Sequence, residues 1–355
     1  MSGAGGSGPV LITGGAGFIG ANLADRLLAG GEAVSILDNL SRPSVGRNIE
    51  FLRRRHGDRL EVRIADVRDA SAVREAVEEA SFVFHLAAQV AVTKSLSDPI
   101  HDFEVNARGT LHVLEALRAM PRPPGLLVTS TNKVYGALGD LALARLGRRY
   151  EPEDEAVRKG GISEARRLDF QSPYGCSKGA ADQYALDYAR TFGLNAVVLR
   201  MSCIYGPRQF GSEDQGWIAH FLIRAIRREP ITIFGDGLQV RDVLFIDDLV
   251  DALLLARREI RRASGKAFNV GGGPESTLSL LELLELAGEL TGRRVEVAFE
   301  GWRPGDQRYY ASDTRAFQTL TGWAPRARPE DGVRELYRWL LGARERPVAP
   351  REVVR

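Results

Sequence analysis

The sequence contains only two cysteines, Cys176 and Cys203, among its 355 residues. A chain of this length can bury a core without cross-links, which argues against a disulfide framework and favours a reducing, cytoplasmic location. Net charge is also nearly absent, because 48 basic and 46 acidic side chains leave +2, and no overall field attracts nucleic acid or an anionic membrane. No apolar run approaches the roughly 18 residues of a membrane helix, and residues 1–8 carry no targeting signal.

What the sequence does contain is an alternation of short apolar runs and amphipathic stretches that begins at Pro9. This pattern is typical of parallel strands joined by helices. We predict strands at residues 10–13, 33–38, 60–65, 82–87, 126–129 and 196–201, and helices at 17–29, 70–80, 102–119, 173–192, 217–228 and 278–290. This order of elements predicts an α/β fold with a doubly wound parallel sheet of the Rossmann type.

A glycine triplet, Gly14, Gly17 and Gly20, lies between the first predicted strand and helix. Without side chains, the backbone can turn sharply and approach a pyrophosphate, toward which the helix N-terminal amides point. Asp38 closes the second strand, where a carboxylate can accept bonds from ribose hydroxyls and repel a 2′-phosphate. NAD is therefore the expected cofactor, with NADP left open by the nearby Arg42. The other expected cofactor contacts are Phe18, Ile19, Asn39, Asp66, Val67, Leu86, Ala87 and Ala88.

After Tyr205 the pattern becomes irregular, with Gly and Pro between shorter helices. We therefore predict a smaller mixed α/β lobe that binds substrate, formed by residues 203–236 and 269–345. Residues 9–202 and 237–268 form the predicted NAD-binding domain, and residues 137–171 an inserted, mostly polar excursion. Residues 1–8 and 346–355 are predicted to be flexible tails.

The segment Ser172-Pro-Tyr-Gly-Cys-Ser-Lys178 indicates a catalytic pair. Proline is tolerated in the first turn of a helix, so Tyr174 and Lys178 lie one turn apart on one face. The ammonium favours the phenolate, and we expect it to lower the pKa of Tyr174 toward working pH, so that the residue acts as general base toward a substrate hydroxyl. Thr131, after the fifth strand, is expected to hydrogen-bond the same hydroxyl.

Together these motifs resemble the extended short-chain dehydrogenase/reductase family of sugar-nucleotide epimerases and dehydratases, over roughly residues 9 to 340. The matching pieces occur in the family's order: the glycine triplet, Asp38, Asp66-Val67, Leu86-Ala-Ala, Asn106, Thr131, Tyr174-x-x-x-Lys178, Tyr205-Gly-Pro-Arg208 and Gln239-x-Arg-Asp242.

The resemblance implies an NAD-dependent enzyme in which Tyr174 is the base, Lys178 its activator and cofactor anchor, and Thr131 the hydroxyl partner. It also implies that Asn106 supports the lysine through water or backbone, and that Thr129 contacts the cofactor. A homodimer formed through helices 102–119 and 173–192 is a further expectation of the family.

The reaction type is indicated by the two residues after Thr131. Dehydratases of the family usually carry Asp-Glu there, and sugar-acid decarboxylases keep the Glu, whereas this sequence has Asn132-Lys133. Neither elimination nor decarboxylation is favoured, so oxidation, reorientation of the keto sugar and reduction from the opposite face is the simpler interpretation.

A closer resemblance to the CDP-paratose/CDP-tyvelose 2-epimerases is carried by three segments: Ser130-Thr-Asn-Lys-Val-Tyr135, Ser172 to Tyr184, and Asp214-Gln-Gly-Trp217. It implies inversion at C2 of a CDP-linked sugar. The alternatives are a 4-epimerase of the UDP-glucose type, a dehydratase, a simple reductase that exchanges hydride with free cofactor, and a non-catalytic NAD-binding sensor.

The substrate is expected to be a nucleotide sugar, whose diphosphate needs guanidinium donors. Arg241 and Arg303 are the first choices, with Arg208 as a third. Asn132 and Lys133 are expected to orient the sugar, and Cys203 stands where relatives often carry Asn, so this contact is either lost or moved to Ser202. Gln209 and Trp217 complete the predicted substrate site.

Overall fold

The computed structural model describes residues 8–42, 44–303 and 305–344. The predicted flexible tails, apart from Gly8, therefore lie outside the described residues. The strands, in chain order, are β1 Val10–Thr13, β2 Val34–Asp38, β3 Leu60–Ile64, β4 Phe82–His85, β5 Gly125–Thr131, β6 Leu143–Leu146, β7 Arg149–Pro152, β8 Ala196–Met201, β9 Cys203–Tyr205, β10 Ile231–Phe234, β11 Val240–Phe245, β12 Ala267–Val270, β13 Thr277–Ser279, β14 Val297–Glu300 and β15 Tyr309–Tyr310.

The helices are α1 Phe18–Ala29, α2 Val45–His56, α3 Ala70–Glu78, α4 Val92–Ser97, α5 Pro99–Phe103, α6 Gly109–Arg118, α7 Glu155–Gly160, α8 Ser172–Phe192, α9 Trp217–Arg227, α10 Ile246–Arg258, α11 Ile260–Ala263, α12 Leu280–Thr291, α13 Arg315–Thr321 and α14 Pro329–Arg344. Short 3₁₀ turns cover Gly57–Arg59 and Asn132–Tyr135, and a π-helical turn covers Glu104–Arg108.

The central sheet has seven parallel strands in the order β12-β8-β5-β4-β1-β2-β3. Side chains alternate along each strand, so both faces are apolar and both are covered. Val10 and Ile12 of β1 pack on the face that carries α1, α2 and α10, whereas Leu11 packs on the face that carries α3, α6 and α8. The predicted doubly wound α/β fold is confirmed.

The strand order reverses between β1 and β4, because the chain adds β2 and β3 on one side and β5 on the other. At such a switch point the loops after the two strands diverge and leave a crevice at the carboxyl edge of the sheet. The glycine triplet follows β1 and the Leu86-Ala-Ala segment follows β4. The fold thus brings the first two predicted cofactor segments to the same crevice.

The second half of the chain builds smaller sheets over this edge. Strand β11 pairs with β9, β13 and β15, and β10 pairs with β14. The predicted polar excursion 137–171 contains the hairpin β6–β7 and helix α7. Residues 237–268 contribute to both sheets, since β11 joins the small sheet and α10 packs on the large one. The division into lobes at 202/203, 236/237 and 268/269 remains our proposal.

The predicted strands begin or end within two residues of their observed limits. The predicted helix 102–119 is helical throughout Asp102–Arg118, but it begins earlier, at Pro99, and contains the π-helical turn Glu104–Arg108 between α5 and α6. Such turns insert an extra residue and are frequent at functional sites. Among the described residues, none of the helices has both the length and the apolar character needed to span a bilayer.

Candidate active site

The loop between β1 and α1 forms a cradle that only glycine fits. Gly14 has φ of +70°, and a Cβ there would lie 2.7 Å from the backbone nitrogen of Ala87. A Cβ on Gly20 would lie 2.6 Å from the carbonyl oxygen of Gly14. Gly17 precedes α1 and has no side chain to cover the first-turn amides, so these can bind an anion. Phe18 and Ile19 line the adjoining cleft.

Asp38 ends β2 beside this cradle. One carboxylate oxygen accepts from Ala16 N at 3.0 Å and the other from Leu40 N at 2.8 Å. Burial raises the pKa of Asp38, and the nearby charge of Arg42 opposes that rise. Each carboxylate oxygen of Asp38 accepts one backbone hydrogen bond and keeps a free lone pair. Asp38 can therefore still accept hydrogen bonds from the hydroxyls of a ribose.

The loop after β3 lies beside Asp38 and forms another part of the predicted cofactor site. Asn39 Nδ2 donates to Asp66 Oδ2 at 2.8 Å, and the Arg68 guanidinium, 2.9 Å from that oxygen, holds the pKa of Asp66 well below its usual range. Val67 is buried against Gly109, the first residue of α6. These contacts fix the loop after β3 next to Asp38.

Asn106 lies in the π-helical turn and is fully buried. Its Oδ1 accepts from Gln89 N at 2.9 Å, and its Nδ2 donates to Gln89 O and to Ser177 Oγ, both at 3.0 Å. The predicted support of Lys178 is thus indirect in the structure. Asn106 ties the loop Leu86-Ala87-Ala88-Gln89 to helix α8 at the residue before Lys178.

Tyr174 and Lys178 lie one turn apart at the start of α8, and both are buried. Lys178 Nζ donates to the carbonyl oxygen of Thr129 at 2.6 Å, and Tyr174 N donates to Ser95 Oγ at 3.1 Å. Strand β5 therefore positions the Lys178 side chain, and helix α4 holds the backbone at Tyr174.

The predicted acidic shift of Tyr174 is wrong in this structure. Burial raises the pKa of Tyr174 to about 12, although the Thr131 hydroxyl beside the phenol acts in the opposite direction. Burial also lowers the pKa of Lys178 to about 8. Desolvation is the largest cause of both shifts, because burial removes water from each charged form and the surrounding protein replaces that water only in part.

Thr131 ends β5, and the next two residues turn toward the small lobe. Asn132 Nδ2 donates to Gln307 Oε1 at 3.2 Å. Lys133 Nζ donates to Gly305 O at 3.3 Å and lies 3.5 Å from Asp306 Oδ1. Asn132 and Lys133, predicted to orient a sugar, also clamp the end of β5 to residues 305–307.

Asp306 stands between two cations. Arg241 donates to its Oδ1 at 2.7 Å, and Lys133 approaches the same oxygen. Burial alone would raise the pKa of Asp306, but the charges of Arg241 and Lys133 together lower it. Two basic side chains thus share one carboxylate, an arrangement that suits an anionic ligand.

Arg303 also faces the cleft. Its guanidinium lies 3.7 Å from the ring centroid of Phe234 and donates to Glu213 Oε1 at 3.0 Å. Glu213 belongs to the same segment as Asp214, which accepts from Thr93 Oγ1 at 2.5 Å. Residues 213 and 214 therefore bridge the two sides of the cleft.

Most of the predicted substrate residues line one cleft, together with the phenol of Tyr174. Its lining includes Thr131, Asn132, Lys133, Tyr174, Ser202, Cys203, Gln209, Trp217, Arg241 and Arg303. Burial raises the pKa of Cys203, so it is a packed thiol and not a nucleophile. Gln209 Nε2 donates to Ile204 O at 3.1 Å.

Arg208 is the exception and requires a correction. Its backbone has φ of +71°, which turns the side chain toward α1. There it donates to Asn22 Oδ1 at 2.6 Å and to Asp25 Oδ2 at 3.2 Å, and lies 4.0 Å from the ring centroid of Phe51. We therefore withdraw Arg208 as a diphosphate ligand.

Sequence reasoning missed Asp306, Gln307, Asp102 and Glu213. Asp306 and Gln307 closely follow Arg303. Sequence reasoning identified this segment through Arg303 but assigned no role to the two acceptor side chains that follow it. Asp102 is fully buried and accepts from Gln89 Nε2 at 2.8 Å behind the catalytic helix. No local pattern marks these residues, because their partners are distant in sequence.

A dinucleotide cradle, a phenol beside a threonine hydroxyl and an arginine-lined cleft suit a cofactor-assisted reaction at a hydroxyl-bearing carbon. Residues 10–271 match the model of the NAD dependent epimerase/dehydratase family, and the chain belongs to that family. Its cofactor is accordingly NAD.

The chain is 40% identical to the CDP-paratose 2-epimerase of Salmonella typhi, over 93% of this chain and 98% of that protein. The fold is similar to the solved UDP-glucose 4-epimerase of Thermotoga maritima with UDP-glucose, with a TM-score of 0.81, 29% identity, and coverage of 94% of this chain and 99% of that one. The UDP-glucuronic acid 4-epimerase of Bacillus cereus, in complex with UDP-glucuronic acid and NAD, has a TM-score of 0.81 at 26% identity, with the same coverage.

Proposed function

We propose that this protein is an NAD-dependent epimerase of a nucleotide-diphosphate sugar, acting at C2 of a CDP-linked hexose. It oxidises the carbinol to a ketone and reduces that ketone from the opposite face. The observation that carries the proposal is the pairing of the buried Tyr174 phenol with Thr131 at the mouth of the cleft, beside the cradle that follows β1. The 2-epimerase relative at 40% identity supports C2 and CDP.

The residues present fit NAD. The close approach at Gly14 and Gly20, the exposed first turn of α1 and the carboxylate of Asp38 match a pyrophosphate and an adenosine ribose. Lys178 and Thr129, joined by a hydrogen bond at the end of β5, would hold the second ribose and the nicotinamide. When bound, NAD supplies reversible hydride transfer at the substrate carbon, which inversion through a ketone requires.

Tyr174 would move the proton of the reacting hydroxyl. During oxidation the substrate O–H bond breaks and the proton goes to the Tyr174 oxygen; during reduction the same proton returns to the carbonyl oxygen. Lys178 contributes a positive charge one helical turn away, and Thr131 holds the oxygen that reacts. No net proton or oxidant is consumed, as an isomerisation requires.

Arg241 and Arg303 are proposed to bind the diphosphate. The carboxylates of Asp306 and Glu213 hold their guanidinium groups in place. Glu213 is exposed, so a diphosphate can displace it from Arg303, whereas Asp306 is held by both Arg241 and Lys133. Guanidinium groups engage phosphate oxygens in pairs, which fixes the sugar at a set distance from the reacting end.

A homodimer and a cytoplasmic location are also part of the proposal. Apolar side chains are exposed on α5 and α8, with Ile100 at 75%, Phe103 at 53%, Tyr184 at 46% and Phe192 at 47%. Burial of such a patch between two copies is favourable. Both cysteines are free thiols, which supports a reducing compartment.

The test is incubation with CDP-, UDP-, dTDP- and GDP-sugars, followed by NMR of the products. We expect inversion at C2 of a CDP-sugar, with no loss of water. Inversion at C4 alone would favour the 4-epimerase alternative, and absence of any product would contradict the enzyme assignment.

Two controls sharpen this experiment. Tyr174→Phe should reduce kcat by roughly a hundredfold or more, because the proton acceptor is gone. Tyr184→Phe, on the exposed side of the same helix, should retain activity. Purified protein that holds NAD and produces no net NADH would exclude the simple reductase.

A further inference from the structure

A fully buried carboxylate lies behind helix α8, which carries the catalytic pair. Asp102 belongs to α5 and is 0% exposed. Gln89 Nε2 donates to its Oδ1 at 2.8 Å, and Asn106 Nδ2 donates to the same oxygen at 3.2 Å. The hydroxyl of Ser177 on α8 donates to Oδ2. Three donors from three segments of the chain therefore converge on one side chain.

These donors suit the ionised form of Asp102. A carboxylate only accepts hydrogen bonds, so it satisfies all three donors at once, and such bonds favour the charged state. Within the part of the chain that the structure describes, Asp102 has no basic partner within 4.0 Å, whereas the buried Asp182 is paired with Arg200. Asp102 is thus a buried negative charge that hydrogen bonds hold in place and no ion pair neutralises.

The buried amine of Lys178 follows Ser177 by one residue. Its Nζ donates to the carbonyl oxygen of Thr129 at 2.6 Å, and no carboxylate of the described ranges lies within 4.0 Å of it. Burial lowers the pKa of Lys178 to about 8, and the carboxylates of Asp182 and Asp102 oppose that fall. Because Asp182 already has a cation of its own, Asp102 is the carboxylate whose charge is free to act on the lysine.

We propose that Asp102 is a positioning residue, whose carboxylate is the counter-charge that keeps Lys178 an ammonium. The three donors hold the carboxylate ionised, and its charge acts through the buried space behind α8. The inference deepens the proposed function and rests on it in one respect, that the ammonium serves the reaction at Tyr174. Asp102 does not line the cleft and acts only through the lysine.

The consequence for the site is that both members of the catalytic pair hold their protons in the resting protein. A buried ammonium without an anion nearby loses its proton more easily, because desolvation favours the neutral amine. The same negative charge disfavours a phenolate, and Asp102 accordingly adds to the burial that raises the pKa of Tyr174. The positive charge that Lys178 contributes is thus maintained by a residue outside the cleft.

Other titratable groups face Lys178 from the elements around it. Asp182 lies one turn further along α8 and is bound by Arg200 of β8 through two hydrogen bonds. His85 of β4 is neutral at neutral pH, because burial lowers its pKa to about 3. Tyr174 lies one turn earlier on the same helix. The test changes none of these groups, so a shift in the titration of the lysine reports the carboxylate on α5.

The experiment follows the charge of Lys178 directly, in the full chain with NAD bound, by ¹³C NMR of lysine labelled at the ε-carbon. The lysines of the sequence are Lys94, Lys133, Lys159, Lys178 and Lys266. Burial also lowers the pKa of Lys133, so the Lys178→Arg variant, which lacks one resonance, is needed for the assignment. In Asp102→Asn we expect the pKa of Lys178 to fall by about 1 unit, the lower end of the range for one nearby charge.

Asp102→Asn removes the charge and preserves the hydrogen bonds behind α8. The amide oxygen can accept from Gln89 and Asn106, and the amide nitrogen can donate to Ser177. The Ser177 hydroxyl then keeps an acceptor in the carbonyl oxygen of Tyr174, at 3.2 Å. If Asp102→Asn does not fold, Asp102→Ser removes the same charge and should lower the pKa in the same direction.

Two variants control for other causes. Asp98→Asn removes a negative charge at the exposed start of α5, where the new amide oxygen can still accept from His101 N, and should shift the pKa of Lys178 by less than about 0.2 unit because water screens that charge. Ser177→Ala breaks the contact between Asp102 and α8 but leaves the charge in place. It should lower the pKa by less than about half as much as Asp102→Asn, whereas a merely structural role predicts an equal fall.

An unchanged or higher pKa of Lys178 in folded Asp102→Asn or Asp102→Ser protein would overturn the proposal, as would an equal fall in Ser177→Ala or Asp98→Asn. In the active enzyme, kcat should fall with rising pH as Lys178 loses its proton. In Asp102→Asn this loss should come about 1 unit lower, without a matching change in KM.

The NMR titration needs no turnover, so it separates this inference from the proposed function. A protein that shows the shift but converts no nucleotide sugar would refute the proposed function and keep the counter-charge. A protein that inverts C2 while Asp102→Asn leaves the pKa of Lys178 unshifted would keep the proposed function and refute the counter-charge.

Discussion

Acidification should destabilise the fold through one buried histidine at the end of β4. His85 is 2% exposed, and its ring lies between Thr13 Oγ1, 2.7 Å from Nδ1, and Thr110 Oγ1, 3.0 Å from Nε2. Thr110 donates its hydrogen to Asn106 O at 2.6 Å, so Nε2 carries the proton of the ring and Nδ1 accepts from Thr13. Protonation of Nδ1 would make both ring nitrogens donors, so Thr13 could no longer donate its hydrogen to the ring.

Burial, together with the charge of Lys178, lowers the pKa of His85 from 6.5 to about 3. The unfolded chain takes up a proton at pH values where the folded chain does not, so stability is present above about pH 6.5 and is lost as the pH falls toward 3. Each pH unit inside this window costs about 1.4 kcal/mol, which gives about 2 kcal/mol at pH 5.

The assay is urea unfolding of the parent protein and of His85→Gln, at about pH 8 and about pH 5. Gln can donate to Thr110 and does not titrate, so the variant should lose about 2 kcal/mol less on acidification than the parent. His101→Gln, at an exposed position, serves as the control and should behave as the parent. Equal losses in the parent and in His85→Gln would refute the reasoning.

Three further predictions test the cofactor cradle, the core and the cleft. Gly14→Ala should weaken NAD binding at least about tenfold in calorimetry, whereas Gly31→Ala, which has the same sign of φ but open space around it, should not. Asp182→Asn removes one partner of the buried, doubly bonded pair with Arg200 and should cost about 3 to 5 kcal/mol in urea unfolding. Arg241→Met should lower kcat/KM by roughly 10- to 150-fold, the value of a charged hydrogen bond, and a loss below threefold would contradict its diphosphate role.

Local patterns were sufficient for most of the sheet and for one end of the site. The period of apolar residues located six of the seven strands of the central sheet and missed β12, and the parallel order alone required the carboxyl ends of the strands to share an edge. Gly14 and Asp38 were therefore placed together by sequence reasoning, and the structure brings them together.

The remaining part of the site could not be predicted, because it is formed by contacts between residues that are far apart in the sequence. Asn132 meets Gln307 across 175 positions, and Lys133 meets Asp306 across 173, separations that no periodicity encodes. Arg208 was misplaced because its positive φ turns it toward α1, and sequence gives no dihedral angle for a non-glycine residue. The basicity of Tyr174 depends on how much water the folded chain excludes, which is a property of packing.

The most direct test of the central claim uses a CDP-sugar that carries deuterium on C2. The proposed reaction removes that hydride and returns it to the same carbon from the opposite face, so NMR should show the inverted product with deuterium still on C2 in ordinary water. Inversion with hydrogen from the solvent at C2 would contradict the account, because it would mean that a proton and not a hydride is exchanged.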